Sequence, residues 1–203
     1  MQITAGIRSI LGRPVVYDLF QAMMGADRAR RELVMQYIRP VVGMRLLDIG
    51  CGTARILDYL PPLTYHGFDL SQEYIDEAMM RYSERGVFRC AMVEGATLQD
   101  EPSYDLVLAI GVLHHLDDEA AVQLLGLAKS ALKDSGRLVT IDPCLDNNQN
   151  PIARFFVSKD RGQNVRSAAQ YRELGGNVFE QVTGEVKHRT WIPYTHWIME
   201  CAK

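Results

Sequence analysis

Apolar residues recur along this chain in two periods, and the periods alternate. Between residues 15 and 39 the spacing is helical: Val16, Leu19, Phe20, Met23 and Met24, then Leu33, Val34, Tyr37 and Ile38. Gly25 interrupts that pattern and Pro40 stops it. From residue 45 onward, short apolar runs alternate with longer amphipathic stretches. The runs predict strands at 45–49, 65–68, about 87–93, 104–110 and 137–141. The stretches predict helices at 72–84, with Ser71 as its cap, and at about 118–132, before a turn at Asp134-Ser135-Gly136. Such alternation specifies a parallel sheet with helices on both faces.

After Pro143 the order changes. Residues 145–151 form a polar loop, and a helical or irregular insert runs from 152 to about 165. Ser167 can cap a helix through Leu174, which Gly175-Gly176 would end. Two late strands follow, at 182–189 and 195–201. The expected architecture is α/β: a doubly wound, mostly parallel sheet with helices on both faces.

The most informative run is Arg45-Leu46-Leu47-Asp48-Ile49-Gly50-Cys51-Gly52-Thr53-Ala54-Arg55. A short apolar strand ends in an acid, two glycines spaced by one residue follow, and an amphipathic stretch begins. Glycine serves where the backbone turns sharply or passes close to a ligand. A helix starting there offers unpaired N–H groups and a partial positive charge. The dinucleotide fingerprint G-x-G-x-x-G carries no acid inside the turn. Here Asp48 would repel a pyrophosphate, but it suits a ligand bearing an ammonium or sulfonium.

The stretch "LLDIGCGTA" closely resembles motif I of the class I S-adenosylmethionine-dependent methyltransferases, the seven-strand Rossmann-like family. Ala54 stands where a third glycine is commoner, a mild change if the alanine sits in the first helical turn with negative φ. The resemblance covers roughly residues 15–203 and is specific at 45–56. It implies a seven-stranded, mostly parallel sheet with a final antiparallel strand, in which the late strands are strands six and seven. It also implies S-adenosylmethionine as cofactor, held by Tyr17, Asp48, Gly50, Cys51, Gly52, Arg55, Asp69, Leu70, Glu94, Gly95, Ala96, Ile110 and Gly111. Residues of about 15–39 would then form a lid and those of about 143–175 a cap on one methyltransferase domain spanning 1–203.

Several of these positions have an ordinary alternative. Asp69 ends strand two, where a carboxylate can accept bonds from two ribose hydroxyls; it could instead cap the next helix, although Ser71 is better placed. The family often has Gly-Asp-Ala after strand three, whereas this chain reads Val93-Glu94-Gly95-Ala96, so Glu94 either meets adenine or is an exposed turn acid. Tyr17 either covers the cofactor or packs in the core. Arg28, Arg30 and Arg31 read best as a solvated helix face.

The phrase "VLHHLDD" after strand four resembles the small-molecule branch of the family. It lacks the Asn-Pro-Pro-Tyr tetrapeptide of many amino-group methylases of nucleic bases. His115 falls where some members keep a histidine facing the methyl group, and a histidine titrates near neutrality. The alternative is that one histidine packs under the sheet and the other caps the following helix. Asp142, ending strand five, is a second base candidate. In the insert, Arg154, Lys159, Arg161 and Arg166 beside Phe155 and Phe156 suit an acceptor with an anionic group and a ring; an Asp160-Arg161-Gly162 turn could equally hold the loop by an ion pair. Tyr194 and His196 can reach the pocket rim. The candidate catalytic residues are His115, Asp142 and Arg161.

Composition narrows the classes. At 203 residues the chain is expected to be one domain with room for a full core. Hydrophobic residues at 47% and charged residues at 23% are ordinary for a globular protein. A net charge of −3 gives no push toward nucleic acid or an anionic membrane. Cys51, Cys90, Cys144 and Cys201 are scattered, so no metal site is expected and the thiols read as reduced and cytoplasmic. The start has no signal-peptide core, and no apolar run reaches bilayer length. The reading is methyl transfer to an oxygen or nitrogen of a small molecule, natural-product and glycan precursors included. Two alternatives are a non-catalytic cofactor-binding partner subunit and a nicotinamide-dependent reductase; Asp48 and the late antiparallel pair weigh against the second.

Overall fold

The computed structural model describes residues 26–93, 103–160, 162–189 and 193–203. Helix α1 (Ala26–Leu33) runs into a π-helical turn, Val34–Ile38, which stops where Arg39 takes a left-handed backbone ahead of Pro40. Next come β1 (Arg45–Ile49), a short 3-10 helix (Arg55–Tyr59), β2 (Thr64–Asp69), α2 (Gln72–Tyr82) and β3 (Gly86–Cys90). β4 (Tyr104–Ile110), a 3-10 turn (Leu113–His115), α3 (Asp118–Ala131) and β5 (Leu132–Leu145) follow. The chain continues through α4 (Pro151–Ser158), a two-residue β6 (Arg166–Ser167), α5 (Ala168–Gly176), β7 (Gln181–Arg189) and β8 (Tyr194–Ala202).

The strand order is β3-β2-β1-β4-β5-β8-β7, with β6 pairing β5 off this path. β1 to β5 pair in parallel, and β8 lies antiparallel between β5 and β7. This is the doubly wound sheet read from the sequence, late antiparallel pair included. The order reverses between β1 and β4, which leaves a crevice at the carboxyl ends of those two strands.

Alternation along each strand sorts the core into two layers. Leu46, Leu106, Leu108 and Val139 face one side, against Leu33, Val34, Ile56, Leu57, Ile75 and Ala78. Leu47, Ile49, Val107, Ala109 and Leu138 face the other, against Leu125, Ala128, Tyr171 and Leu174. Central strands buried on both faces read as unbroken apolar runs, which is why β1 and β4 stand out in the sequence.

Side-chain caps start the helices. Ser71 Oγ accepts the Tyr74 N–H at 3.4 Å, Asp117 Oδ1 accepts that of Ala120 at 2.9 Å, and Asn150 Oδ1 accepts that of Ile152 at 2.8 Å. Ser167 and Gln170 form a capping box. Each such cap is worth about 1 kcal/mol. The predicted turn at Asp134-Ser135-Gly136 lies inside the long β5: pairing jumps from Tyr104–Leu132 to Leu106–Arg137, so residues 133–136 loop out of the ladder.

β7 and β8 approach closely at one point. A Cβ on Gly184 would lie 2.4 Å from Trp197 Cζ2 and 2.6 Å from the Ile198 carbonyl oxygen. Gly184→Ala is therefore expected to lower the unfolding free energy by about 1–3 kcal/mol through overpacking. Urea denaturation checks this, and an unchanged midpoint would contradict so close a contact.

Candidate active site

Past Ile49 the chain reverses through Gly50-Cys51-Gly52-Thr53-Ala54. Gly50 and Gly52 have φ of 73° and 53°. The Gly50 and Cys51 N–H groups both donate to the Phe68 carbonyl, at 2.7 and 2.9 Å, which ties the turn to β2. A Cβ on Gly50 would strike Val112 Cγ2 at 2.6 Å, whereas one on Gly52 would meet no described atom within 4 Å. Gly50 is therefore packed against the segment after β4, and Gly52 borders open space. Cys51, half-buried, turns its thiol toward the Gly52 carbonyl at 3.6 Å.

Ala54 departs from expectation: its φ is 54°, not negative. A left-handed alanine costs about 1–2 kcal/mol. Burying its methyl, which is 1% exposed in the core layer of the 3-10 helix, returns about 0.8 kcal/mol. The element behind the turn is also shorter than expected, a five-residue 3-10 helix. It offers N–H groups of the turn rather than a sizeable helix dipole. Arg55, its first residue, lies 3.8 Å from Asp58.

Asp69 closes β2 and holds two elements at once. Its Oδ2 accepts the Gly52 N–H at 2.9 Å and its Oδ1 accepts the Ser71 N–H at 2.8 Å. Each carboxylate oxygen keeps a second lone pair for a ligand hydroxyl. Leu70, next to it, is 69% exposed.

Asp48 lies beneath the turn and is buried. Its Oδ2 accepts the Tyr65 hydroxyl at 2.6 Å, and its Oδ1 has no partner. Burial drives the carboxyl up to about 7 against the opposing Tyr65 hydrogen bond, with help from the Asp69 charge. An orphaned buried carboxylate oxygen, open space at Gly52 and a half-buried Asp69 fit a ligand with a cationic end and vicinal hydroxyls.

On the other side of the crevice, β4 ends in half-buried Ile110 and in Gly111, whose φ is 71° and whose N–H donates to the Ile141 carbonyl at 2.7 Å. A Cβ on Gly111 would lie 3.7 Å from His114 Cε1. The 3-10 turn thus delivers His114 beside the glycine.

His114 is the buried one. Its Nδ1 meets Asp142 Oδ1 at 2.8 Å and its Nε2 meets Asp160 Oδ1 at 3.1 Å. Asp142 Oδ1 also accepts the His114 backbone N–H at 3.1 Å, while its Oδ2 is unpartnered. Asp160 further accepts the Gly162 N–H at 2.9 Å and the Tyr194 hydroxyl. Burial alone would lower the imidazole's pKa, but hydrogen bonds and charge from both acids raise it to about 9. The same imidazolium holds Asp160 well below the usual carboxylate range, overcoming that acid's own desolvation. His115 is half-buried and lies against the His114 ring, centroids 4.0 Å apart. The partly buried His196 ring lies 4.9 Å from that of Tyr194.

The insert reaches this network through Asp160, an ion pair of the kind the Asp-Arg-Gly turn allowed. Gly162 fits only as glycine, because a Cβ would lie 2.1 Å from His114 Cδ2, and the Asn164 N–H donates to the His114 carbonyl at 3.0 Å. Arg166 does not face a ligand. It bonds Asp118 at 2.7 and 2.9 Å, the carbonyls of Leu113 and Leu116 at 2.9 and 2.7 Å, and that of Asn164 at 3.1 Å. Arg154, Phe155, Phe156 and Lys159 are exposed. Sequence reasoning gave His115 precedence and missed the clamp on His114, although the strand-end Asp142 and the glycine after Asp160-Arg161 were its signals. Tyr17, Glu94, Gly95, Ala96, Arg161 and Trp191 lie outside the described residues.

Residues 47–138 match a family model described as a methyltransferase domain. The ubiquinone biosynthesis O-methyltransferase of Maricaulis maris is 34% identical over 83 residues, 38% of this chain and 33% of that protein. Among solved structures, the pyocyanin biosynthetic protein PhzM superposes with a TM-score of 0.71 at 20% identity, over 99% of this chain and 63% of that one. The mitomycin 7-O-methyltransferase MmcR gives 0.67 at 20% identity, over 94% and 58%. This chain spans less than half the length of the curated relatives it matches. Residues 47–138 thus resemble a methyltransferase domain, and the chain shares the fold of these solved structures. No helix among the described residues is long and apolar enough to cross a membrane.

The clamp has a pH signature. A histidine raised from 6.5 to about 9 stabilises the fold fully below pH 6.5 and loses that contribution as pH rises through 9. Over that span the protein should lose on the order of 2–3 kcal/mol relative to a His114→Asn variant. Urea unfolding at pH 6.5 and 9.5 measures the difference, and parallel curves would mean that His114 is uncharged.

Proposed function

We propose that this chain transfers a methyl group from S-adenosylmethionine to an oxygen or nitrogen of a small-molecule acceptor. The observation that carries the reading is the convergence of Asp48, the Gly50–Gly52 turn, Asp69 and Gly111 on the point where strand order reverses. Asp69 receives the ribose hydroxyls, and Gly52 lets the backbone approach the ligand. Leu70 flanks the adenine, to which the family resemblance also assigns residues 94–96. Ile110 and Gly111 run along the methionine part, while Cys51 and Arg55 border it and Tyr17 of the lid, about 15–39, covers it.

The cofactor supplies a methyl group on a sulfonium, with its leaving group already activated. The chain's own task is to hold the acceptor in line, exclude water and take a proton where the acceptor carries one. His115 is the candidate for that proton, as the half-buried histidine of the turn that follows Gly111. His114, with both ring nitrogens on carboxylates, is a positioning residue. Asp142 orients it, and the cap of about 143–175, with Arg161, closes over an anionic part of the acceptor. The ubiquinone and mitomycin relatives are named as O-methyltransferases, which favours oxygen as the acceptor atom. The net charge and scattered cysteines favour a small acceptor over nucleic acid and a cytoplasmic setting.

Calorimetry with S-adenosylmethionine, followed by an acceptor screen scored by release of the demethylated cofactor, tests the reading. Asp69→Ala should weaken cofactor binding by about 1.5–3 kcal/mol. Gly52→Ala should weaken it too and cost about 1–2 kcal/mol of stability through its left-handed backbone, although the added methyl meets no described atom. His115→Ala should lower kcat by about 10²-fold if the imidazole takes the acceptor's proton. Folded protein that gives no heat with the cofactor would overturn the assignment.

A further inference from the structure

We propose that Asp48 reads the charge of the ligand: it holds a proton while the cleft is empty and gives that proton to solvent when the sulfonium-bearing cofactor binds. The inference rests on the reading of the Gly50–Gly52 turn as the cofactor site and goes beyond it.

The geometry is that of a carboxylate without a counter-ion. Asp48 is 3% exposed, and among the described residues one oxygen has only the Tyr65 hydroxyl while the other has no partner. The groups that face it are neutral or anionic. From β2 come the Tyr65 phenol and the Asp69 carboxylate, and from the turn comes the Cys51 thiol. Burial pushes up the phenol and the thiol, so both stay protonated. Tyr82 of α2, next beyond Tyr65, gives its hydroxyl to Asp58 at 2.8 Å. Arg55, the cation of the 3-10 helix, lies 3.8 Å from that same Asp58. β4 brings only Leu106, Leu108 and Ile110 to this face. Ionising Asp48 in such surroundings costs more than keeping it neutral. A cation arriving above the turn reverses that balance. When the methyl leaves, the sulfur becomes neutral and Asp48 regains its proton. The pair of states therefore separates donor from product by charge.

The test is titration calorimetry of the full chain with S-adenosylmethionine and, separately, with its demethylated product, in phosphate and in Tris, from pH 6 to 8. The expected result with the donor is release of about half a proton per molecule bound at pH 7. Donor affinity should fall about tenfold from pH 8 to pH 6, with a smaller fall for the product. Asp48→Asn should abolish the buffer dependence. Tyr65→Phe, which removes a hydrogen bond that favours the ionised acid, should move the midpoint to higher pH, and it keeps the test open if Asp48→Asn does not fold. Donor heats that bind normally but do not depend on buffer overturn the proposal and leave the cofactor site standing. Equal proton release by donor and product overturns the discrimination between them. No heat with either ligand overturns the cofactor reading and this inference together.

Discussion

The 2.9 Å bond from the Gly52 N–H to the Asp69 carboxylate is the constraint on which the cleft depends. It joins the loops at the carboxyl ends of β1 and β2, and the other oxygen of the same acid fixes the entry to α2 through Ser71. The opposite wall is set by contact rather than by a bond: Gly50 has room for a hydrogen only, because Val112 stands against it. Between these two restraints the turn has little freedom, and the left-handed backbone at Gly50, Gly52 and Ala54 is its consequence. A parallel sheet whose order reverses at this point supplies the gap; the bond and the contact give the gap its shape.

Two buried carboxylate arrangements flank that gap and differ in kind. Asp142 and Asp160 share a single imidazolium, so three charged groups sit together with most of their hydrogen bonds made. Such an arrangement is rigid and tolerates burial. Asp48 has no cation beside it and meets its burial by protonation instead. The first arrangement ties the insert to β4 and β5. The second leaves the cofactor side of the cleft electrostatically unsettled until something positive arrives.

Much of this was legible in the sequence, for physical reasons that differ by element. β1 and β4 are buried on both faces, and Leu, Val, Ile and Ala fill most of their length, with Asp48 as the buried exception in β1. Ser71 and Ser167 mark helix starts because a hydroxyl at that position satisfies an otherwise unpaired N–H. The antiparallel pairing of β7 and β8 came from the family resemblance, because the half-exposed β7 has no apolar run of its own. Other features had no local signature. Ala54 carries no preference for a left-handed backbone; its neighbours impose one. Residues 55–59 are amphipathic in a way that suits an α-helix or a 3-10 helix equally. The choice between His114 and His115 rested on where the insert returns, and a pattern of single residues does not encode that. Arg166 looked like a cation for a ligand until its carbonyl partners at Leu113 and Leu116 came into view.

Arg166 has a meaning for how the insert can change in such a chain. It rivets the end of the insert to the turn that carries both histidines. A graft that exchanged residues 146–165 for those of a relative would leave this rivet in place only if the recipient kept Asp118 and the backbone path of Leu113–His115. Insert and histidine turn therefore form one unit of inheritance, although nearly the whole of α3 and β5 lies between them in the chain. Substitution can drift freely at the exposed Phe155 and Phe156, outside the rivet, and is constrained behind it.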